Sequence, residues 1–284
     1  MSYKRAMGAF TLHLLRFLPR NLLSRVFGRI AGLRRPRWLA RWMIRRFAAA
    51  FDLNLDEATR PLEDYESLLD LFTRRLRPEA RPIDSAPMSL VSPVDARVGA
   101  FGAVRDGMLL QAKGMPYTLS SLLGGEEEAR MFEGGRFLTL YLSPRDYHRI
   151  HVPESGELAE TRYEPGTLWP VNPPAVRRIP SLFAVNERVV TTLDATWGRV
   201  AVVMVGATNV GRMRLSYMDL VTNSGGQPFR RRHEPPLRVE RGDELGVFEL
   251  GSTVILVVQG RGFDWESLRE DEWLPMGRLL GRIR

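Results

Sequence analysis

Apolar residues recur with a helical period over the first quarter of the chain and with a strand-like period after it. Residues 10–18 (FTLHLLRFL) are mostly apolar and end at Pro19. From 20 to 31, Leu22, Leu23, Val26, Phe27 and Ile30 share one helical face, with Arg25 and Arg29 on the other. Pro36 closes that segment. A third begins at Arg37, with Trp38, Leu39, Trp42, Met43 and Phe47 on one side and Arg37, Arg41 and Arg45 at i, i+4 and i+8. Residues 61–76 predict one more amphipathic helix, and Pro78, Pro82 and Pro87 mark an extended linker. From residue 91 short β-like runs take over, at 97–104, 107–113, 136–142, 156–163, 187–193, 199–206, 212–218 and 245–258, with a helix near 118–132. The pattern predicts an α+β chain in which N-terminal amphipathic helices precede a mostly antiparallel β body. An arm of 1–60 and a catalytic domain of 61–284 are the expected parts.

Charge sharpens that division. Residues 1–50 carry one Lys and eleven Arg with no Asp or Glu, a local charge of +12 within an overall +8, so the rest of the chain is slightly acidic. Arginine-faced amphipathic helices with Trp suit an anionic membrane surface. They also suit helices packed on the body with a solvated charged face. No stretch reaches the ~18 uncharged apolar residues of a spanning helix, and arginines interrupt every candidate signal-peptide core. Nucleic acid is not an expected partner, because the body lacks basic, aromatic-studded strands and zinc-finger spacing.

Residue types narrow the chemistry. Cysteine is absent, which removes thiolate nucleophiles, zinc–thiolate sites and disulfides, and only Lys4 and Lys113 could form a lysine Schiff base. His148 and His151 lie three apart in YHRIHVP, without the spacing of a metal site. Asp95 stands in SPVDARV, where the linker enters the first strand, and Ser252 in FELGSTVILVV, where Gly251 and Ser252 interrupt a strongly apolar strand. Asp, His and Ser together can activate a hydroxyl. No GxSxG elbow is present, which weakens a hydrolase of the α/β type.

LLQAKG (109–114), YLSPRDYHRIHVP (141–153), LFAVNERV (182–189), VGATNVG (205–211) and ELGSTVIL (249–256) together resemble the bacterial, pyruvoyl-dependent phosphatidylserine decarboxylases. One departure is Ala96, where the family usually has Gly after the Asp.

The resemblance implies that Ser252 is the precursor of a covalent pyruvoyl cofactor rather than a hydrolytic nucleophile. Self-cleavage between Gly251 and Ser252 would give a β chain, 1–251, and an α chain, 252–284. His151 would take the Ser252 proton, with Asp95 orienting His151. His148 would donate the proton that replaces CO2 when phosphatidylserine becomes phosphatidylethanolamine, with His151 second in order for that role. Arg145, Arg149 and the 230–232 arginines are phosphodiester contacts or solvated charge. The expected setting is peripheral, on the cytoplasmic face of a bacterial inner membrane, with phosphatidylserine in an anionic bilayer as partner. The oligomeric state is left open, a homodimer included. The competing reading is a membrane-associated serine hydrolase that uses Asp95, His151 and Ser252 without self-cleavage.

Overall fold

A computed structural model of the chain describes residues 19–112, 115–208, 212–249, 252–260 and 262–283. The apolar segment at 10–18, Lys4, Lys113 and Gly251 therefore lie outside the described residues.

The run STVILVV forms a strand, β13 (Ser252–Val258), in which every residue is buried. A strand apolar on both faces must be covered on both, and β13 sits inside an antiparallel eight-stranded sheet. It pairs β5 (Arg136–Leu142) on one side and β9 (Gly198–Val205) on the other. Beyond β9 lie β8 (Arg188–Ala195), β7 (Gly156–Glu164) and β11 (Phe229–Val239); beyond β5 lie β2 (Ala96–Ala103) and β15 (Trp273–Leu274). Val254, Leu256 and Val258 face one core, with Leu140, Ile150, Met204, Phe248 and Leu280. Ile255 and Val257 face the other, with Leu109, Tyr117, Leu122, Phe137 and Phe183.

Two small sheets cap the first core. One joins β1 (Ser89–Val91), β16 (Leu279–Ile283) and β14 (Phe263–Trp265); the other joins β10 (Met213–Leu215), β12 (Glu244–Phe248) and β6 (Arg149–His151). The second core is closed by the hairpin of β3 (Met108–Ala112) and β4 (Met115–Thr118) and by short helices.

The N-terminal segments are helical as predicted, at α1 (Arg20–Ala31) and α2 (Arg37–Phe51). The helix expected over 61–76 is not continuous. A 3-10 turn at Leu62–Asp64 is followed by extended backbone at Tyr65, and Ser67 caps a new short helix, α3 (Leu68–Phe72), by accepting a hydrogen bond from the Asp70 N–H. The helix expected at 118–132 also breaks, into α4 (Leu119–Leu123) and α5 (Glu126–Met131). Gly124 between them takes φ +80°, where side-chain-bearing residues are strained. The single strand expected at 245–258 becomes β12 and β13. The edge strand β11 escapes the alternation rule, because its sequence FRRRHEPPLRV is charged, has no fully buried residue and carries two prolines, as edge strands do.

Helices α1 and α2 rest on α3. Ala31, Leu68 and Phe72 form one small cluster with Met43 and Phe47 at its margin, and Ile44, Tyr65 and Leu71 form another. Asn21 Nδ2 donates to the Gly166 carbonyl at 2.9 Å, and the Arg20 guanidinium lies over the Trp169 ring. The opposite side stays open: Leu22, Val26 and Ile30 of α1 and Trp38 and Trp42 of α2 are exposed. Among the described residues no helix is long and apolar enough to cross a membrane.

Candidate active site

Ser252 opens β13 opposite Leu142 of β5. It is 1% exposed, and among the described residues its Oγ has no hydrogen-bond partner. The hydroxyls of Thr253 and Thr139 are also buried and unpartnered. Leaving a buried hydroxyl unpaired costs about 1–3 kcal/mol, so the one at the head of this central strand marks a place built for chemistry or for a ligand. Ser252 shares the Val254 face of β13, while Thr253, and Thr139 opposite Ile255, lie on the other face of the sheet. Thr253 and Thr139 line a cavity of about 520 Å³ with Tyr141 and Phe183, and Arg97 and Arg177 also border it.

His148 follows a turn held by its own aspartate. The Asp146 carboxylate accepts from the Ser143 N–H and Oγ, both at 2.6 Å, and from Trp273 Nε1 at 3.2 Å. His148 Nδ1 then reaches the Asp146 carbonyl at 2.8 Å. A carbonyl only accepts, so Nδ1 carries the proton and Nε2 of the neutral ring keeps its lone pair. Nε2 is buried and unpartnered. The ring is fully buried, with the Phe72 ring 4.0 Å away between centroids. Burial drives its pKa from 6.5 down to about 3, helped by the Arg74 charge and opposed by the Asp146 carbonyl. The backbone carbonyl of His148 accepts from the Phe248 N–H, tying this turn to the end of β12.

His151 ends β6. Its Nδ1 is 2.7 Å from the Gly242 carbonyl, so Nε2 is again the lone-pair nitrogen, here 3.1 Å from the Tyr147 hydroxyl. Burial lowers its pKa too. Three residues apart on bent backbone, the two imidazoles thus share one tautomer and differ in their Nε2 environment.

Asp95 corrects the sequence expectation. It does not hydrogen-bond to His151. Its carboxylate takes a two-pronged grip from Arg81, Nε to Oδ1 at 2.7 Å and Nη2 to Oδ2 at 2.5 Å, and Oδ1 also accepts from the Met276 N–H at 2.8 Å. A planar guanidinium matches a carboxylate bidentately, and an imidazole cannot. Asp95 acts on His151 only through space, as one minor influence favouring its charged form. An Asp95–His151–Ser252 hydrolytic relay therefore lacks its first hydrogen bond.

Two of the expected phosphate contacts are committed elsewhere. Arg149 grips Glu244 at 2.7 and 2.8 Å and the Thr73 carbonyl, and Arg230 joins Glu128 and Glu160. Sequence reasoning missed Arg81, Arg74, Phe72, Asp146 and Tyr147. Of these only Asp146 and Tyr147 carried a signal, as neighbours of the histidine pair.

The phosphatidylserine decarboxylase family model matches residues 68–282. Curated relatives named phosphatidylserine decarboxylase proenzyme include one from Myxococcus xanthus, 44% identical over 274 residues, covering 96% of this chain and 98% of the relative. One from Anaeromyxobacter is 46% identical over 248 residues, covering 86% and 88%, and one from Brevibacillus brevis is 41% identical over 268 residues, covering 93% and 94%. With the family model spanning most of the chain and relatives of this identity matching nearly end to end, this chain belongs to the phosphatidylserine decarboxylase family.

Proposed function

We propose that this chain decarboxylates phosphatidylserine to phosphatidylethanolamine with a pyruvoyl group made from its own Ser252. The observation that carries the reading is the Ser252 hydroxyl, buried without a partner at the head of a central strand. The word proenzyme in the relatives' names supports a processed chain. A residue destined to change its covalent structure fits a position where the hydroxyl satisfies nothing in the fold.

In maturation, Ser252 Oγ attacks the Gly251 carbonyl, and the Gly251–Ser252 amide becomes an ester with a free Ser252 amine. His151 Nε2 takes the hydroxyl proton. Breaking the Ser252 Cβ–Oγ bond, with loss of an α-proton, leaves a carboxylate on Gly251 and dehydroalanine at 252. Addition of water and loss of ammonia then give the new N-terminal group of a 252–284 chain, beside a 1–251 chain. That group supplies a carbonyl for the substrate amine and an electron sink for decarboxylation.

His148 handles the proton of turnover. Its Nε2 lone pair accepts a proton from the substrate ammonium and returns it to the α-carbon that CO2 leaves. Burial keeps the ring neutral before substrate arrives, so the Nε2 lone pair is free to take that proton.

The arm supplies access to the substrate. Trp38, Trp42, Leu22 and Ile30 stay exposed beside arginines, a pattern that suits the headgroup layer of an anionic bilayer, such as the inner face of a bacterial inner membrane. The proposed division is an arm of 1–60 that anchors and a domain of 61–284 that performs the chemistry.

Intact mass of the purified chain tests the reading. Wild type should resolve into two fragments at the Gly251–Ser252 bond, and Ser252→Ala into one full-length chain with the same circular dichroism. Splitting of Ser252→Ala at that bond would refute self-processing.

A further inference from the structure

Arg74 is a buried arginine that nothing in the proposed chemistry uses. It lies two residues beyond α3 and is 4% exposed. Among the described residues no carboxylate pairs with it, and its Nε and Nη1 have no hydrogen-bond partner. A guanidinium taken out of water with no direct ion pair is costly; Asp95 and Asp146 favour its charge only through space, and Arg81 opposes it. What it does touch is specific. Nη2 donates to the Arg145 carbonyl at 2.7 Å and lies 3.4 Å from the Asp146 carbonyl. The second of these is the oxygen that receives His148 Nδ1.

We infer that Arg74 is a positioning residue for His148, fixing through the 145–146 carbonyls the ring's orientation and its Nδ1–H tautomer, so that the Nε2 lone pair is always presented. This rests on the proposed role of His148 in turnover. The geometry closes from three sides. The Asp146 side chain is pinned by Ser143 and Trp273, so its peptide cannot rotate freely. Arg74 holds the carbonyl side of that peptide and the one before it. Phe72, two residues earlier on the same segment, packs on the imidazole itself. Arg149 Nε and Nη2 in turn hold the Thr73 carbonyl between them, so segment 72–74 and turn 145–149 clamp each other. Arg74 is the charge acting on the buried ring, and a positive charge nearby opposes a second one on the imidazole. The Asp146 carbonyl acts the other way, and Phe72 brings no charge.

The test compares full-length Arg74→Met, Arg74→Gln and Arg74→Lys. Ring 15N shifts of His148 are read in the uncut Ser252→Ala background, and kcat, KM and their pH profiles in the processed enzymes on mixed phosphatidylserine vesicles. In Arg74→Met the His148 tautomers should mix, kcat should fall about tenfold with KM little changed, and the acid limb of kcat should move up by about one pH unit. Arg74→Gln fits the same space and should shift the limb likewise, which decides the matter if the Met variant does not fold. Arg74→Lys keeps the charge, should hold the limb at the wild-type position and should recover part of kcat. A wild-type tautomer and limb in the uncharged variants, or a shifted limb in Arg74→Lys, would overturn the inference. Normal turnover by His148→Asn would instead remove the role of His148 itself, a separate failure.

Discussion

Replacing His148 by Asn should change how the uncut protein responds to acid, by an amount the burial of the ring sets. Asn can keep the donor to the Asp146 carbonyl and cannot titrate. In the native chain the imidazole is fully buried and neutral, with its pKa near 3, against 6.5 once unfolded. Between those values the unfolded state binds a proton that the native state does not, so the contribution is destabilising as pH falls. It is absent above about pH 7 and grows by about 1.4 kcal/mol per pH unit below 6.5, down to the folded pKa. From pH 7 to pH 5 the linkage integrates to about 2 kcal/mol. Urea denaturation of Ser252→Ala, with and without His148→Asn, measures it, since a single uncut chain keeps the transition simple. His151 and His233, both also lowered by burial, are present in both proteins and cancel. The His148 protein should lose about 2 kcal/mol more than the Asn protein over that interval. Parallel stability curves would mean that the ring is solvated or already charged, and the proton-handling role argued for it would fall with that.

Asp95→Asn should destabilise the uncut chain by about 3–5 kcal/mol, because Arg81 is left buried with only Glu57 to answer it; unchanged urea midpoints would refute the pairing. Trp38→Ala with Trp42→Ala should leave thermal stability nearly unaltered, the two rings being 71% and 58% exposed, while co-sedimentation with anionic vesicles weakens; equal sedimentation would move the membrane contact elsewhere. Gly246→Ala should cost about 1–3 kcal/mol in thermal unfolding, since its Cβ would stand 2.6 Å from the Arg214 carbonyl across β10 and β12.

The division into helices and strands was legible because burial imposes a period. STVILVV and RVVTTLDA announce strands by composition, and α1 and α2 by spacing. Breaks were harder: Ser67 and Gly124 interrupt predicted helices through a cap and a positive φ, local devices that a periodic count passes over. In the site, Ser252 and the two histidines stood out as residue types. Their partners did not, since backbone carbonyls at Asp146 and Gly242 carry no sequence signal. The Arg81–Asp95 pair joins residues whose side chains meet only after the linker folds back, and the choice of guanidinium over imidazole is made by planar geometry there.

The central place of β13 sets what processing would do to the molecule's capacity to refold. The segment from Ser252 onward supplies β13 and β15 to the large sheet and β14 and β16 to a small one. Before the cut, those strands find their neighbours as parts of one chain, and recovery from denaturant is first order. After it, each half lacks strands that the other holds, and neither can complete a core alone. Recovery then becomes an encounter between two molecules, dependent on concentration and open to misassembly. The mature enzyme would persist through the slowness of its unfolding, as a structure formed once by a precursor that no longer exists.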